Sequence, residues 1–579
     1  MASRLKALSG QEAGREAGQF FGRPAGRFFG KPAGRPSADV RATNGMVATS
    51  QPLASLVAVE ILNAGGTAVD AAIAANAMLA LVEPIGCGPG GDLFAMVWDP
   101  GAAKLIGLNA SGRSPRQLAR ELLSASVGET GEIPVRGPLS VSVPGCVSGW
   151  FMLHERFGRL EMARLLAPAI QAARRGFPVT QVIACEWADD LEQIRALDKE
   201  QRYSSNLLST FAPGGRAPTS GETFTNPDLS ATLQEISDGG KNAFYQGQIA
   251  ETIGNYVRRV GGFLSAGDLA DHRSEWVEPI SINYRGFEVF ELPPNGQGVT
   301  ALQMLNILEG INLGELGPNS AEAIHQMIEA KKLTFEDRAR LYADPDFSHA
   351  PIETLLSPTR ASAHRKMILP DTALTCRAAW LPIDEHGDTC YLTTADSDGM
   401  MVSLIQSNFL KFGSGLVPDG LGFALQNRGA LFSLDPEHPN GYEPGKRPFH
   451  TIIPAFVLEN GEPLLSFGVM GGAMQPQGQV QVLTNLIDFE MGLQEAGDAL
   501  RWRHTGSSRP TGFVCDDGGV VLLEDSFDQD ISVELERRGH VVKRRVGVFG
   551  GYQAIAINRM KGEYIGASDI RKDGMALGI

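Results

Sequence analysis

Apolar residues recur along most of the chain at the spacing of helices, and short apolar or alternating runs lie between them. The pattern predicts helices at 52–62, 68–81, 149–157, 162–175, 228–236, 299–308, 321–343, 477–488 and 528–538. It predicts strands at 46–49, 93–98, 104–109, 139–143, 280–283, 287–291, 391–395, 401–405, 452–458, 464–467, 520–523, 541–544 and 553–557. Strands dominate after residue 389, so we expect an α+β fold in which sheets and helices pack in layers.

Two stretches depart from this pattern. Residues 1–41 are rich in Gly, Arg, Ala and Pro and contain a near repeat, 20–27 and then 28–35, which predicts a flexible basic extension. Residues 351–388 are interrupted by prolines and have few periodic apolar positions. They predict an irregular connector, which is a suitable place for a processed site.

The composition is that of an ordinary globular protein, with 579 residues of which 43% are hydrophobic and 20% charged. No run of about 18 uncharged apolar residues occurs, so we expect no transmembrane helix. The formal net charge of −15 argues against binding to nucleic acid or to an anionic membrane surface. The N-terminal segment lacks the apolar core of a secretory signal, so we expect a cytoplasmic protein.

The six cysteines are scattered without a CxxC pair, and the ten histidines form no HExxH motif. This usage predicts neither a zinc site nor a disulfide framework, and it is typical of a reducing compartment. We therefore expect no metal and no cofactor.

The sequence Gly387-Asp388-Thr389 stands where polar, turn-forming residues meet a predicted strand. A threonine there is either an ordinary strand residue or the first residue of a new chain. A threonine at a new N-terminus carries its own base, because its α-amine, with an unperturbed pKa of about 7.7–8.0, lies within reach of the hydroxyl. The local sequence alone leaves both interpretations open.

Two other places attract attention. Residues 83–92 form a glycine-dense turn between a predicted helix and a predicted strand. The turn lacks the ending of a nucleotide-binding loop, so close backbone approach in a core is the better interpretation. Arg113 follows a predicted strand, a position where an arginine often meets an anion, although a solvated surface arginine fits the local sequence equally well.

Several motifs occur together and in a fixed order from about residue 45 to the C-terminus. They are Gly45 to Thr49, Ala64 to Ala72, Glu83-Pro84, Gly90-Gly91, Val143 to Gly145, Lys446 to Pro448, Gly471-Gly472 and Gly566 to Asp569. In this combination the chain resembles the γ-glutamyltranspeptidase family. The resemblance implies an N-terminal-nucleophile hydrolase with a four-layer αββα core, made as a proenzyme that cuts itself before a threonine.

On this resemblance the cut falls between Asp388 and Thr389. The chain would then consist of the extension (1–41), a large subunit (42–388) and a small subunit (389–579) that begins with the nucleophile. On this division the irregular connector at 351–388 forms the C-terminal end of the large subunit and leads to the cleavage site.

The resemblance also implies the residues that assist Thr389. Ser407 matches a second hydroxyl that supports the nucleophile, at a position where the family usually has threonine. Gly471 and Gly472 match a glycine pair whose N–H groups stabilise the acyl oxyanion. We take Thr389, Ser407, Gly471 and Gly472 as the candidate catalytic residues.

The matches fail at the residues that would hold a γ-glutamyl group. Ser111 stands where family members have the arginine for the substrate's α-carboxylate, and Arg113 is a candidate replacement. Ala430 stands where an acidic residue meets the α-amino group. Without such partners a γ-glutamyl head group would lose charge-assisted contacts worth roughly 1.5–3 kcal/mol each.

Further pocket positions differ as well. His450 and Thr451 replace paired serines, and Phe409, with Asn408 beside it, replaces an asparagine. These replacements resemble the branch that includes oxamate amidohydrolase and cephalosporin-acylase-like proteins. The candidate substrate-binding residues are Arg113, Ser111, Asn408, Arg428, His450 and Thr451.

The resulting hypothesis is an autoprocessed, metal-free amidohydrolase that forms and hydrolyses an acyl ester on Thr389. Its substrate is a small amide with a carboxylate near the scissile bond. Glutathione hydrolysis or γ-glutamyl transfer is the family default, and oxamate or another acyl amide fits the altered positions. A non-catalytic scaffold of the same fold is a second alternative. The expected partners are the two subunits of one precursor, for which the resemblance also allows a dimer of heterodimers.

Overall fold

The structure, a computed structural model, describes residues 39–127, 132–374, 387–506, 509–511 and 518–579. Residues 1–38 of the predicted extension and 375–386 of the predicted connector lie outside the described residues. The first strand spans Val40–Ala42, so residues 40 and 41, which we assigned to the extension, belong to the fold. Val40 and Ala42 pack against an apolar layer between two sheets, and that packing is the reason for the shifted boundary.

The strands of the described residues are β1 (Val40–Ala42), β2 (Gly45–Thr49), β3 (Asp92–Asp99), β4 (Lys104–Ala110), β5 (Phe177–Pro178), β6 (Thr223–Phe224), β7 (Glu275–Val277), β8 (Ile280–Tyr284), β9 (Phe287–Glu291), β10 (Gly387–Asp396), β11 (Met401–Leu410), β12 (Ala455–Glu459), β13 (Glu462–Val469), β14 (Trp502–Thr505), β15 (Val520–Glu524), β16 (Val542–Arg545), β17 (Tyr552–Asn558), β18 (Glu563–Ser568) and β19 (Met575–Gly578).

The helices of the same residues are α1 (Pro52–Asn63), α2 (Ala68–Val82), α3 (Arg120–Val127), α4 (Cys146–Phe157), α5 (Met162–Arg175), α6 (Gln181–Leu197), α7 (Ser205–Phe211), α8 (Pro227–Tyr245), α9 (Gln248–Arg259), α10 (Ala266–Ala270), α11 (Gly298–Leu308), α12 (Leu313–Leu316), α13 (Ala321–Leu341), α14 (Ile352–Leu355), α15 (Pro358–Met367), α16 (Met474–Ile487), α17 (Leu493–Asp498) and α18 (Gln529–Arg537). Short 3-10 turns occur at Pro138–Ser140 and Arg428–Leu431. Among these helices none is long and apolar enough to cross a membrane.

Two seven-stranded sheets form the centre of the fold. Sheet A has the strand order β1-β18-β17-β13-β12-β9-β8, and sheet B has the order β19-β2-β10-β11-β3-β4-β7. Neighbouring strands are antiparallel throughout both sheets. Strand β10, which contains Thr389, therefore lies in the middle of sheet B.

The two sheets pack face to face and helices cover their outer faces. Phe94 and Tyr391 of sheet B and Phe456 and Ile555 of sheet A belong to one apolar layer between the sheets. The other face of sheet B packs against α1, α2 and α4 to α9, and the other face of sheet A packs against α11, α13 and α16. The order is helix, sheet, sheet, helix, which is the expected four-layer αββα arrangement.

Helix α2 is buried along its whole length, and its small residues explain how it fits. The helix begins with a capping box, in which Asp70 N–H donates to Thr67 Oγ1 at 3.1 Å and Thr67 N–H donates to the Asp70 carboxylate at 3.0 Å. Ala68 N–H donates to Asp396 Oδ2 at 2.7 Å. This bond fixes the start of α2 against the end of β10.

Most predicted elements are present with ends shifted by a few residues, and two predictions were wrong. Residues 139–143 form a 3-10 turn and extended chain instead of a strand, because Val143 N–H bonds singly to the Arg113 carbonyl and no ladder continues. The predicted irregular connector contains α14 and α15. Pro351 precedes α14 and Pro358 begins α15, at positions where the missing N–H costs no hydrogen bond.

The glycine-dense turn at 83–92 has the close backbone contacts that we predicted. A Cβ atom on Gly90 would overlap the carbonyl oxygen of Ala424, and one on Gly91 would lie 2.6 Å from Asn408 Oδ1. The Gly90 carbonyl accepts the N–H of Gln426 at 2.9 Å. The turn is therefore a contact surface for the segment at 424–426.

We expect Gly90→Ala to destabilise the protein by about 1–3 kcal/mol, because the added methyl group has no space beside Ala424. The measurement is the apparent melting temperature, and the control is Gly214→Ala, where no atom lies within 4 Å of the new Cβ. Equal melting temperatures for the two variants would contradict the close contact.

Candidate active site

Thr389 lies near the start of β10 in the middle of sheet B. The bond between Asp388 and Thr389 is therefore part of a strand and not of a loop. The pairing of β10 with β11 shifts here, since Asp388 opposes Phe409 whereas Cys390 opposes Gln406. A bulge of this kind re-aims a side chain. The side chain of Thr389 is fully buried.

Among the described residues, Ser407 and Gln475 contact the Thr389 hydroxyl. Thr389 Oγ1 donates to Ser407 Oγ at 3.3 Å, and Gln475 Nε2 donates to Thr389 Oγ1 at 3.5 Å. Ser407 Oγ also accepts the N–H of Phe409 at 2.8 Å, and Gln475 Oε1 accepts the N–H of Ile453 at 2.9 Å. The Thr389 hydroxyl is thus held between two buried groups that are themselves fixed by the backbone.

The glycine pair lies in the turn between β13 and α16, next to Gln475. Gly471 and Gly472 have φ angles of 111° and 59°, in the left-handed region that side chains rarely adopt. Their carbonyls accept the N–H groups of Met474 and Gln475 at 3.0 and 3.2 Å. In the described part of the chain, the N–H groups of Gly471 and Gly472 donate to no backbone carbonyl outside helices and strands. Two such donors can serve as an oxyanion hole.

A buried glutamine fixes this turn relative to the candidate substrate pocket. Gln297 Nε2 donates to the carbonyl of Gly472 at 2.9 Å and to the carbonyl of Thr451 at 2.6 Å. Gln297 Oε1 accepts a hydrogen bond from Arg338 Nη1 at 2.7 Å. One side chain therefore joins the glycine pair to the segment that carries Thr451.

Arg428 is fully buried next to the residues that support the nucleophile. Its Nη1 donates to Thr451 Oγ1 at 2.6 Å, and its Cζ lies 4.7 Å from the centre of the Phe409 ring. Phe409 is the residue whose N–H bonds to Ser407. Among the described residues, Arg428 Nε and Nη2 have no hydrogen-bond partner.

The neighbours of Arg428 hold it in place. Gln426 Nε2 donates to Asp92 Oδ1 at 2.8 Å. Asn427 Oδ1 accepts the N–H of Leu410, the last residue of β11, at 3.1 Å. The side-chain bonds of Gln426 and Asn427 therefore fix the backbone that leads into Arg428.

The carboxylate of Asp92 collects donors from four segments. Oδ1 accepts the N–H groups of Gly112 and Gly145 at 3.0 and 3.1 Å and the side chain of Gln426 at 2.8 Å. Oδ2 accepts from His450 Nε2 at 2.9 Å. Asp92, the first residue of β3, is thus bonded to Gly112 beyond the end of β4, to the start of α4, and to the segments of the predicted small subunit that carry Gln426 and His450.

Burial and charge set the protonation of these groups. Burial raises the pKa of Asp92 to about 7, against the lowering by Arg428 and by the bound N–H groups. Burial lowers the pKa of Arg428 to about 9, which leaves a cation at pH 7. Burial and the charge of Arg428 hold the pKa of His450 well below its usual range. Ile452 N–H bonds to His450 Nδ1 at 3.4 Å, so the neutral imidazole donates from Nε2 to Asp92.

Two candidate substrate-binding residues already have protein partners. Ser111 Oγ donates to Asn109 Oδ1 at 2.7 Å inside a buried asparagine cluster. The guanidinium of Arg113 pairs with Asp344 at 3.1 Å and with Asp346 at 2.6 Å. These carboxylates compensate its charge, so a substrate-binding role for Arg113 stays a prediction that its contacts do not support.

Asn408 follows Ser407 in β11, where the pairing shifts and these two residues together oppose Thr389. The Asn408 side chain lies against Gly91, in the glycine-dense turn. Its Nδ2 and Oδ1 have no hydrogen-bond partner among the described residues, and its substrate contact stays a prediction.

Folding brings together two histidines that show no short-spaced motif in the sequence. The ligand atoms of His325, Glu329 and His540 lie within 4.8 Å of one another. His325 Nδ1 and His540 Nε2 are hydrogen-bonded at 2.8 Å, and Glu329 pairs with the Lys332 ammonium at 2.7 Å. The hydrogen bond between the two histidines and the ion pair of Glu329 with Lys332 account for the cluster, and we assign it no metal.

Sequence reasoning missed three residues of this site, namely Gln475, Gln297 and Asp92. Gln475 follows the glycine pair by three residues, and Asp92 directly follows Gly91. Their proximity in the sequence to the motifs Gly471-Gly472 and Gly90-Gly91 could have indicated that they belong to the site. For Gln297 the sequence holds no such signal, because its two bonds join segments that are distant in the chain.

A cleft of about 1360 Å³ reaches Gly471 from the surface. Leu410, Met470 and Gly471 line it together with charged residues such as Lys411 and Arg503. Of the four candidate catalytic residues, Gly471 is the one that belongs to this lining in the described part of the chain.

Comparisons with known proteins identify the family of the chain. Residues 54–579 match the model of the family described as Gamma-glutamyltranspeptidase. The glutathione hydrolase-like YwrD proenzyme of Bacillus subtilis (strain 168) is 35% identical over 549 residues, which cover 93% of this chain and 99% of that protein. The oxamate amidohydrolase proenzyme of Klebsiella pneumoniae subsp. pneumoniae is 33% identical over 548 residues, with 93% and 99% covered.

A solved structure agrees over almost the whole chain. The cephalosporin acylase from Bacillus halodurans superposes with a TM-score of 0.87 at 42% sequence identity. The match covers 95% of this chain and 98% of that one.

The raised pKa of Asp92 makes stability depend on pH. Between about pH 4 and pH 7 the folded state keeps a proton that an unfolded aspartate, with a pKa of about 3.9, has lost. The free energy of unfolding of the wild type, relative to Asp92→Asn, should therefore fall as the pH rises through this window and level off above it. Urea unfolding of both proteins at several pH values measures the difference. A difference that is flat or rises with pH would contradict the raised pKa.

Proposed function

Because the chain belongs to the γ-glutamyltranspeptidase family, we propose that it cuts its own Asp388–Thr389 bond and then acts as an N-terminal-threonine amidohydrolase. The observation that carries the proposal is the environment of one buried hydroxyl. Thr389 Oγ1 contacts Ser407 and Gln475, and the glycine pair with its N–H groups lies next to Gln475.

In the cleavage step, Thr389 Oγ adds to the carbonyl carbon of Asp388. A C–O bond forms, the C–N bond between the two residues breaks, and the hydroxyl proton passes to the departing nitrogen, which becomes an α-amine. Water then hydrolyses the ester, which leaves a carboxylate on Asp388 and a free hydroxyl on Thr389. Ser407 Oγ accepts the hydrogen bond of the Thr389 hydroxyl and so orients its lone pair for attack.

The freed Thr389 repeats this chemistry on a substrate amide. Its α-amine takes the hydroxyl proton and delivers it to the leaving amine as the acyl ester forms on Oγ. The N–H groups of Gly471 and Gly472 stabilise the oxyanion. Water completes hydrolysis, whereas a second amine in place of water completes acyl transfer.

The acyl group is the open part of the proposal. Glutathione hydrolysis or γ-glutamyl transfer is the family default, and an activity of the oxamate amidohydrolase or cephalosporin acylase type is the alternative. Arg428 suits the carboxylate that both substrate classes carry, because its buried guanidinium has unpartnered nitrogens, so the alternative is favoured by the next position and not by this one. Ala430 offers no carboxylate to an ammonium group.

The proenzyme names of the relatives support two subunits from one precursor. The boundaries at 42–388 and 389–579, the dimer of heterodimers and the cytoplasmic location stay predictions.

Thr389→Ala should remain a single chain of 61.9 kDa, because it lacks the attacking hydroxyl. The wild type should give two bands on a denaturing gel, and the smaller fragment should begin with Thr389 by N-terminal sequencing. Thr389→Ser keeps a hydroxyl and should still be cut. An uncut wild type after prolonged incubation, or a cut Thr389→Ala, would refute self-processing at this bond.

Gln475→Leu should lower kcat for amide hydrolysis roughly 10- to 100-fold and change KM little, because the variant loses the donor to Thr389 Oγ1. The matched control is Gln477→Leu, a buried glutamine of the same helix that bonds to the Ala473 and His504 carbonyls. Steady-state kinetics measure the loss of catalysis, and melting temperatures measure any loss of stability, so the two effects can be told apart. If both variants lose stability and kcat to the same extent, Gln475 has only a structural role.

A further inference from the structure

Both ends of the buried Gln297 amide are hydrogen-bonded. Oε1 accepts from Arg338 Nη1 at 2.7 Å, and Nε2 donates to the carbonyls of Thr451 and Gly472 at 2.6 and 2.9 Å. Since a guanidinium only donates and a carbonyl only accepts, the amide fits these partners in one orientation. The two hydrogens on Nε2 are therefore directed at the two carbonyls.

Arg338 is itself held in position by two aromatic rings. Its Cζ lies 3.8 Å from the centre of the Phe335 ring and 5.5 Å from the centre of the Phe449 ring. The side chain is buried, and Phe335 belongs to the same helix, α13. A planar cation stacked on aromatic rings keeps the direction of its N–H groups. Arg338 thus fixes the orientation of the Gln297 amide.

The carbonyl of Gly472 is the point at which Gln297 acts on the active site. It also accepts the N–H of Gln475, whose side chain donates to Thr389 Oγ1. Gly471 and Gly472 have no Cβ atom and lie at positive φ, so the peptide groups of this turn can rotate at little cost. A rotation would move their N–H groups away from the oxyanion, whose donors must lie about 2.7–3.1 Å from it. The bond from Gln297 opposes that rotation.

The residues that hold the turn come from the other side of the proposed cleavage site. Gln297 and Arg338 precede Asp388 in the sequence, whereas the glycine pair follows it. The backbone beside Gln297 makes a second bond to the same region, since His450 N–H donates to the Asn295 carbonyl at 2.9 Å. The predicted small subunit therefore contains the nucleophile and the oxyanion donors but not the side chains that fix the glycine turn.

From these contacts we infer that Gln297, oriented by Arg338, is a positioning residue that holds the N–H groups of Gly471 and Gly472 in place for the oxyanion. The inference rests on the proposed function and adds to it two residues of the predicted large subunit. Both act through the backbone of the glycine turn, to which Gln297 is bonded.

The first test separates an effect on the transition state from an effect on substrate binding. Gln297→Met and Gln297→Glu keep the length of the side chain and lose both N–H donors. The substrate is the p-nitroanilide, γ-L-glutamyl or glutaryl, that the wild type hydrolyses faster. We expect kcat to fall roughly 10- to 100-fold and KM to change less than about threefold, because the oxyanion forms only in the transition state. An unchanged kcat would overturn the inference, and so would a loss confined to KM, which would assign Gln297 to the segment of Thr451.

Gln303→Met is the matched control. Gln303 is a buried glutamine of α11 that bonds to Asp337 Oδ2 and to the Tyr342 hydroxyl, each at 2.7 Å. The control removes the same kind of amide at a distance from the glycine turn, so its kcat should stay within about twofold of the wild type. Equal losses of kcat and of melting temperature in Gln297→Met and Gln303→Met would give Gln297 a structural role only and overturn the inference.

A double variant tests whether Arg338 acts through Gln297. Arg338→Met should lower kcat, because the amide loses the donor that orients it, and Arg338→Lys, which keeps a donor, should recover part of the loss. In the Gln297→Met background, Arg338→Met should lower kcat by no more than about a further twofold. Losses that multiply in full would show that Arg338 acts by another route and would overturn its part of the inference.

Hydrogen exchange tests the turn without a substrate. All proteins carry Thr389→Ala, so that each is an uncut chain. Adding Gln297→Met should speed amide exchange in the peptide covering 470–476 about fivefold, because a hydrogen bond to the turn is lost, whereas adding Gln303→Met should not. Unchanged exchange would overturn the inference, even where a variant is not processed or the wild type hydrolyses neither anilide. A wild type that stays uncut would instead refute the proposed function.

Discussion

The buried carboxylate of Asp92 is the constraint on which the site depends. Its two oxygens bind donors from the end of β4, the start of α4, the segment before Arg428 and the imidazole of His450. Since an unpaired buried acceptor costs about 1–3 kcal/mol, these bonds favour the observed arrangement of the four segments. Asp92 also opposes Ser407 in the pairing of β3 with β11. The carboxylate therefore aligns the support of the nucleophile with the candidate acyl pocket.

The sequence allowed the fold class and the residue types of the chemistry to be predicted, because both depend on local patterns. Alternation marked the strands, and the resemblance pointed to Thr389, Ser407 and the glycine pair. The sequence did not reveal that the Asp388–Thr389 bond lies within strand β10, opposite a bulge in β11, since that depends on the register of the two strands. The partners of Arg113 were equally hidden, because Asp344 and Asp346 are more than two hundred residues away.

The two candidate arginines, Arg113 and Arg428, differ in burial and in pairing. Arg113 is partly exposed and shared between carboxylates of the protein, so an added anion would compete with partners already present. Arg428 is fully buried, is held by a hydroxyl and an aromatic ring, and interacts with Asp92 only at a distance. The sequence named both arginines as candidates, and the structure distinguishes them by the partners that each already has.

The strand order of the two sheets has a consequence for the assembled protein. In sheet B, β2 lies between β19 and β10, and in sheet A the strands β18 to β12 lie between β1 and β9. Segments from before and after Thr389 thus alternate as neighbours in both sheets. After cleavage at that bond, neither fragment could leave without opening ladders on two sides. Separately synthesised halves would have to form the same ladders from both sides, so the interleaved order favours folding of the continuous chain before cleavage.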